Sequence, residues 1–275
     1  RINRIHMEED TAKQFHNEQG TLIDFNRAGT PLVEIVSEAD MRSGAEAAAY
    51  VENLRTMLYY LGVSDVKMEE GSMRCDVNIS LRRTSDDPFG VKTEIKNLNS
   101  ISNVQKAVES EYERQSRILD EGGVILQETR RYDEAQKTTV SMRMKEGSVD
   151  YKYFPEPNIT PIQLDEAWIR SIQQSLPELP RERKQRYEEQ YGLRSYDADV
   201  LVQNRELSDF YDAACQYSKE YQLLANWTIT ELTAALNKAN RKMAENRCRP
   251  EDLAQLVSMI KAGEISGKQA KEVFA

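Results

Sequence analysis

The hydrophobic period of this chain changes once, near residue 175, and that change limits what it can fold into. Apolar residues at every second position line one face of a strand, whereas spacings of three and four line one stripe of a helix. Over the first 160 residues the two patterns alternate. TLIDFNRAGTPLVEIVSE, residues 21–38, predicts two strands around a turn at Gly29 and Pro31, and VKMEE (66–70), RCDVNISLR (74–82) and VKTEIKNL (91–98) are strand-like. Ser43 and Glu46 can open a helix as a capping box. Ala47, Val51, Leu54, Leu58 and Leu61 give its buried stripe and Gly62 its stop. A second helix is expected from about Ser100 to Glu121, with Ile101, Val104, Val108, Tyr112 and Leu119 inward. Residues 1–175 therefore predict an α+β domain with a mainly antiparallel sheet. After Pro177 and Pro180 only the helical period remains. Helices are expected at about 181–191, 196–203, 206–218, 228–246, 250–262 and 266–274, the fourth opened by a capping box of Thr228 and Glu231. Residues 176–275 predict an all-α domain.

Composition removes several classes of function. With 39% hydrophobic and 30% charged residues the chain lies in the globular range. No run of about 18 apolar residues is available to span a bilayer, and RINRIHMEED matches neither a signal peptide nor a transit peptide. A cytoplasmic or organellar-matrix location without membrane attachment is expected, and a start at Arg1 rather than Met leads us to expect a piece of a longer protein. Cys75, Cys215 and Cys248, without C-x-x-C spacing, support neither a disulfide framework nor a zinc knuckle. Two histidines, His6 and His16, and no G-x-S-x-G elbow argue against triad catalysis. GEISGKQ at 263–269 lacks a spacer residue and the hydroxyl of a P-loop, so nucleotide bound here would need metals and arginines instead.

The predicted strand 74–82 has an apolar side, Val77, Ile79 and Leu81, and a polar side, Arg74, Asp76, Asn78, Ser80 and Arg82. Such a polar face is either solvated or functional. Carboxylates recur in or beside the other strands: Glu8-Glu9-Asp10, Glu34, Glu69-Glu70 and Glu94. An ionised carboxylate near an apolar core is costly unless it is paired or coordinated. Converging carboxylates suit Mg2+ or Mn2+; the competing reading pairs each with Arg74, Arg82, Lys92 or Lys96. Alternation turns His6 away from Glu9, which predicts a structural histidine, and His16 is expected at the surface.

The net charge of −9 is uneven: residues 1–175 carry 22 Lys+Arg against 30 Asp+Glu, and 176–275 carry 15 against 16. Within the nearly neutral second part, Lys238, Arg241, Lys242, Arg247 and Arg249 oppose only Glu245, and Arg181, Arg183, Lys184 and Arg186 oppose only Glu182. Each run is either a solvated helix face or a contact for phosphate backbone.

The strings HMEED (6–10), DFNRAGTPLVEIVSEAD (24–40), KMEEGSMRCDVNISLR (67–82), EIKNLNS (94–100), QETRRYDEAQKTT (127–139) and MRMKEGSVDYKYFPEPN (142–158) resemble the B subunit of the aspartyl/glutamyl-tRNA amidotransferase family. The resemblance covers essentially the whole chain, without the family's amino-terminal part, so an incomplete kinase site is expected. The chain departs from the family pattern at Ala39, Lys152 and Asn158. The resemblance implies a glutamine-synthetase-like cradle domain followed by a helical domain and a small tail. It implies ATP and Mg2+ as cofactors, used to phosphorylate the side-chain carboxylate of Glu or Asp misacylated on tRNA-Gln or tRNA-Asn. Ammonia from glutamine, released by the amidase (A) subunit, then displaces phosphate, and the small (C) subunit belts the other two together into a heterotrimer. The family's metal ligands carry over to Glu9, Glu34, Asp76 and Glu94, with Glu70 a further candidate. Arg74 and Arg82 become candidates for phosphate contact, followed by Lys96 and Arg131. The resemblance also favours tRNA backbone contact at Lys238, Arg241, Lys242 and Arg247. The rival reading is a non-catalytic tRNA-binding scaffold whose sheet is held by structural ion pairs.

Overall fold

The computed structural model describes residues 1–144 and 162–274, so the departures at Lys152 and Asn158 lie outside the described residues. The first part carries β1 (Ile2–Glu9), β2 (Lys13–Asn17), β3 (Gly20–Asp24), β4 (Pro31–Ser37), α1 (Gly44–Leu61), β5 (Cys75–Ile79), β6 (Thr93–Leu98), α2 (Ile101–Asp120), β7 (Glu128–Asp133) and β8 (Thr138–Met144). The rest is helical: α3 (Glu166–Ser175), α4 (Pro180–Glu189), α5 (Ser195–Val202), α6 (Arg205–Cys215), α7 (Tyr221–Trp227), α8 (Thr233–Lys238), α9 (Pro250–Ala262) and α10 (Gly267–Phe274). The architecture is mixed α+β.

The strands form two ribbons, β1-β4 and β2-β3, and one four-stranded sheet in the order β5-β6-β7-β8. All pairs are antiparallel except β6-β7, which is parallel because α2 carries the chain back across the sheet. Both crossing helices start on serine caps. The Ser43 hydroxyl accepts from the Glu46 amide and the Ser100 hydroxyl from the Asn103 amide, each at 3.1 Å. The αL conformation of Gly62 (φ 69°) ends α1. α1 and α2 approach closely at Gly44, where a Cβ would stand 2.6 Å from the Gln105 carbonyl oxygen.

Several expectations change. VKMEE is no strand: residues 68–71 form a turn closed by Gly71 (φ 76°), so Glu69 and Glu70 ride on a loop. β5 is shorter than 74–82, and Arg74 and Arg82 therefore share no strand face with Asp76. The buried stripe of α2 is Asn103, Val104, Ala107, Glu111 and Gln115, with Tyr112 57% exposed. Val104 and Ala107 pack on the apolar core, and farther along the helix Glu111 and Gln115 turn inward to meet Thr139 and Thr93. The helix expected at 228–246 begins earlier, as α7, and passes through a π-turn at Thr228–Leu232 into α8. Thr228 is fully buried there and does not cap, while Glu231 pairs with Lys271 at 2.7 Å. α3 has no counterpart among the helices expected from the pattern, and none of its residues is buried.

Buried apolar residues fall into two clusters. Val51, Met68, Ile95, Leu98, Val104, Ala107 and Tyr132 lie between the large sheet and its helices. A larger cluster, from Tyr187 to Ala270, holds α4 to α10 together. The parts meet at Tyr60, whose carbonyl accepts from Arg205 Nη1 at 2.8 Å and whose ring lies 5.2 Å beneath the Arg183 guanidinium. Among the described residues no helix is long and apolar enough to cross a membrane.

Candidate active site

The four-stranded sheet buries one face against α2, and among the described residues no helix packs on the other. Val77, Ile79, Ile95 and Leu98 point to the core, so alternation puts Asp76 and Asn78 of β5 and Glu94 and Lys96 of β6 on the open side. Parallel register extends that row onto β7, pairing Glu94 with Thr129 and Lys96 with Arg131. A bulge shapes the centre of this face: two residues of β6, Lys96 and Asn97, oppose Asp76 alone. Asn97 takes the left-handed conformation the bulge requires (φ 63°), which asparagine tolerates better than most residues.

The bulge brings the Lys96 ammonium to 2.8 Å from Asp76 Oδ2 and 3.2 Å from Glu94 Oε1. Glu94 also accepts from the Thr129 hydroxyl at 3.2 Å. Desolvation works against the Lys96 charge, but the hydrogen bond and charge of Asp76, then of Glu94, prevail and raise its pKa. Two carboxylates thus converge on one cationic centre. The pairing with Lys96 is the one the ion-pair reading expects, and the same hard oxygens are of the kind that Mg2+ takes.

A second convergence lies on the β1-β4 ribbon. His6 faces Glu34 across the strands, with Nε2 2.7 Å from Glu34 Oε2 and 3.9 Å from Glu8 Oε2. Ligand atoms of His6, Glu8 and Glu34 all lie within 4.8 Å of one another, a donor set compatible with a divalent metal. Glu9 does not join them. It sits opposite Pro31 on the other face of the ribbon, beside exposed Met7 and Val33. Sequence pattern groups Glu9 with Glu34 and sets His6 apart; cross-strand register, invisible in one strand, reverses that grouping.

Asp10 ties this ribbon to the segment leading into β5. Its Oδ2 accepts from Arg74 at 2.8 Å and from Arg27 at 2.9 Å, and Arg27 also reaches the Gly71 carbonyl at 3.2 Å. Desolvation alone would raise the Asp10 pKa, but Arg74 and then Arg27 hold it below the ordinary carboxylate range. Arg74 is therefore near the entry to β5, engaged by the last acid of the Glu8-Glu9-Asp10 run. Arg82 stands apart: it donates to the Asp87 carbonyl at 2.9 Å and stacks over Phe89. Glu70 pairs with Lys67 at 2.7 Å, away from the Asp76–Glu94 centre, and Arg131 lies 3.4 Å from Asp133 at the end of β7.

The two basic runs separate in the structure. Arg183 and Arg186 turn inward to Glu178, Asp209 and Asp212, and Lys184 reaches Asp199 at 2.7 Å, so that run mostly fastens α4 to its neighbours. Arg249 is held by Asp252 and Glu251. Lys238, Arg241, Lys242 and Arg247 are exposed and form no ion pair among the described residues.

Comparison with known proteins agrees along the whole chain. Residues 1–170 match the model of the GatB/GatE catalytic domain, and residues 209–275 match that of the GatB domain. The B subunit of the aspartyl/glutamyl-tRNA(Asn/Gln) amidotransferase of Bacillus licheniformis is 53% identical over 99% of this chain and 58% of its own length. The proteins of the same name from Oceanobacillus iheyensis and Bacillus thuringiensis are 51% and 50% identical, over 100% and 99% of this chain, and again 58% of each relative is covered. The chain thus spans less than two thirds of the relatives it matches, yet the match runs through every element that builds the open face, and the chain belongs to the GatB/GatE family.

Proposed function

We propose that this chain is the carboxylate-activating part of a glutamine-dependent tRNA amidotransferase. In this reading residues 1–175 form a cradle of the glutamine-synthetase kind, and the helical residues 176–275 lead towards a tRNA-binding tail. The observation that carries it is the convergence of Asp76 and Glu94 on one cationic centre in the open face of the sheet. A relative's name supplies the substrate class: an aspartyl or glutamyl group esterified to tRNA.

The chemistry needs little from side chains beyond placement. A carboxylate is a weak nucleophile, but it is already ionised at neutral pH and needs orientation towards phosphorus more than deprotonation. Its oxygen attacks the γ-phosphorus of ATP, the β–γ bridging bond breaks and ADP departs. Ammonia then attacks the acyl carbon, and phosphate leaves with the former carboxylate oxygen. Asp76 and Glu94, with Glu34 at the ribbon, would hold Mg2+, and the bound ion would supply positive charge against the transferring phosphoryl group. Lys96 and Arg131 line the same face and are suited to phosphate oxygens, whereas Arg74 is held by Asp10. The open cations Lys238, Arg241, Lys242 and Arg247 are suited to tRNA phosphates. An amidase partner supplies ammonia, and a small third component joins the two.

Replacing Asp76 or Glu34 by alanine in the full-length protein, within the assembled enzyme, should lower ATP-dependent amidation about a hundredfold or more. Glutamine hydrolysis by the partner should remain. Normal amidation by both variants would return the sheet to a purely structural role.

A further inference from the structure

The least expected group in the molecule is Glu111. It is fully buried on α2, a position where an ionised carboxylate persists only if thoroughly paired. Arg114 donates to it at 2.6 and 2.9 Å, Gln115 at 2.8 Å and the Thr139 hydroxyl at 2.7 Å, and Arg130 Nε stands 3.5 Å away. Burial pushes the carboxyl upward, yet the hydrogen bonds from Arg114, Thr139 and Gln115 outweigh it and keep it below the ordinary range. Arg130 in turn donates to Glu128 at 2.7 Å and to the hydroxyl and carbonyl of Thr139 at 2.9 and 2.7 Å. Gln115 also reaches Thr93, the first residue of β6, at 3.1 Å. One polar knot therefore ties α2, β6, β7 and β8 together beneath the sheet.

β7 connects this knot to the open face. Glu128 and Arg130 point into the knot, while the alternate residues Thr129 and Arg131 share the other face with Glu94 and Lys96. A slip of one residue would exchange the two sets. Buried ion pairs contribute little net stability, and in some proteins their role is to fix one register. We propose that Glu111 is a positioning residue for the Asp76–Glu94 centre: through Arg130 and Thr139 it fixes β7 so that the Thr129 hydroxyl orients Glu94. This rests on reading that centre as the place of a divalent cation.

The test uses Mn2+ as probe, titrated by electron paramagnetic resonance into the assembled enzyme containing the full-length protein. Thr139→Val removes the hydroxyl shared by Glu111 and Arg130 with little change of shape; Thr139→Ser restores it. Supporting partners of metal ligands typically contribute 10–100-fold to affinity. The Kd for Mn2+ should rise about tenfold or more in Thr139→Val, Glu111→Gln and Thr129→Val, and stay within about twofold of the parent in Thr139→Ser. Lowered melting temperature with an unchanged Kd in Thr139→Val would make the knot structural only and overturn the proposal, even if Glu111→Gln fails to assemble. An unchanged Kd in Asp76→Ala and Glu94→Gln would instead remove the metal reading itself, and the proposal with it.

Discussion

Asp10 shows how one side chain can decide where a site residue stands. Both arginines it binds come from other segments, so the end of β1, the turn after β3 and the approach to β5 meet at a single carboxylate. Its depressed pKa fixes the sign of the pH effect. A group with a folded pKa below its unfolded value adds stability above the unfolded pKa, and loses it as pH falls through the folded one. The ribbon should therefore be fully docked at neutral pH and loosen below about pH 4. Asp10→Asn should cost about 1 kcal/mol at pH 7, because the arginines are partly exposed and screened. In denaturant unfolding between pH 3 and pH 7, the difference between Asp10→Asn and the parent should shrink as acid is added. A difference that grows in acid would contradict the assignment. At the same scale, Cys75 needs no functional role: burial, and then the charge of Asp76, push its thiol up to about 11, so it is protonated at neutral pH.

At the scale of elements, the physical source of each signal decides what sequence pattern can reveal. Helices in the second part follow from local period, which needs no partner to be visible, whereas the cap expected at Thr228 and Glu231 is not formed. The apolar side of β5 is legible for the same reason. The site is legible only in part: Asp76 and Glu94 stand out as strand carboxylates, but their convergence depends on a bulge at Lys96 and Asn97 that pairing with β5 creates. Glu34 is visible in the same way, whereas its cross-strand neighbour His6 is not, since register between β1 and β4 is a non-local quantity. Glu111 is hidden for the opposite reason. A charged residue outside the predicted apolar stripe of its helix reads as solvent-facing until β6, β7 and β8 close over it. The contact of α1 with α2 gives a direct check on this packing. Gly44→Ala places a Cβ 2.6 Å from the Gln105 carbonyl, so the helices must part, and the expected loss is about 1–3 kcal/mol in denaturant unfolding. A neutral or stabilising change would show that the helices do not approach that closely.

At the scale of the whole molecule, the proposed function requires a chain with net charge −9 to meet tRNA, which only local cations could make possible. Those of α4 are spent inside the fold, and the ones around the end of α8 remain open. Reversing Lys238, Arg241 and Lys242 to glutamate should weaken tRNA binding by the assembled enzyme at least tenfold and flatten its dependence on salt. Binding that keeps its affinity and salt slope would assign these residues to a solvated face. The junction at Tyr60 then matters, because Arg183 and Arg205 join the helical part to the helix that flanks the sheet. In the proposed function a tRNA-linked carboxylate is phosphorylated on the face of that sheet that carries Asp76 and Glu94. The most direct measurement follows oxygen: aminoacyl-tRNA carrying 18O in the side-chain carboxylate is amidated with ATP, and the released inorganic phosphate is examined by mass spectrometry. The account predicts one 18O per phosphate formed from labelled substrate, with the transfer lost in Asp76→Ala. Phosphate free of 18O during normal amidation would contradict it.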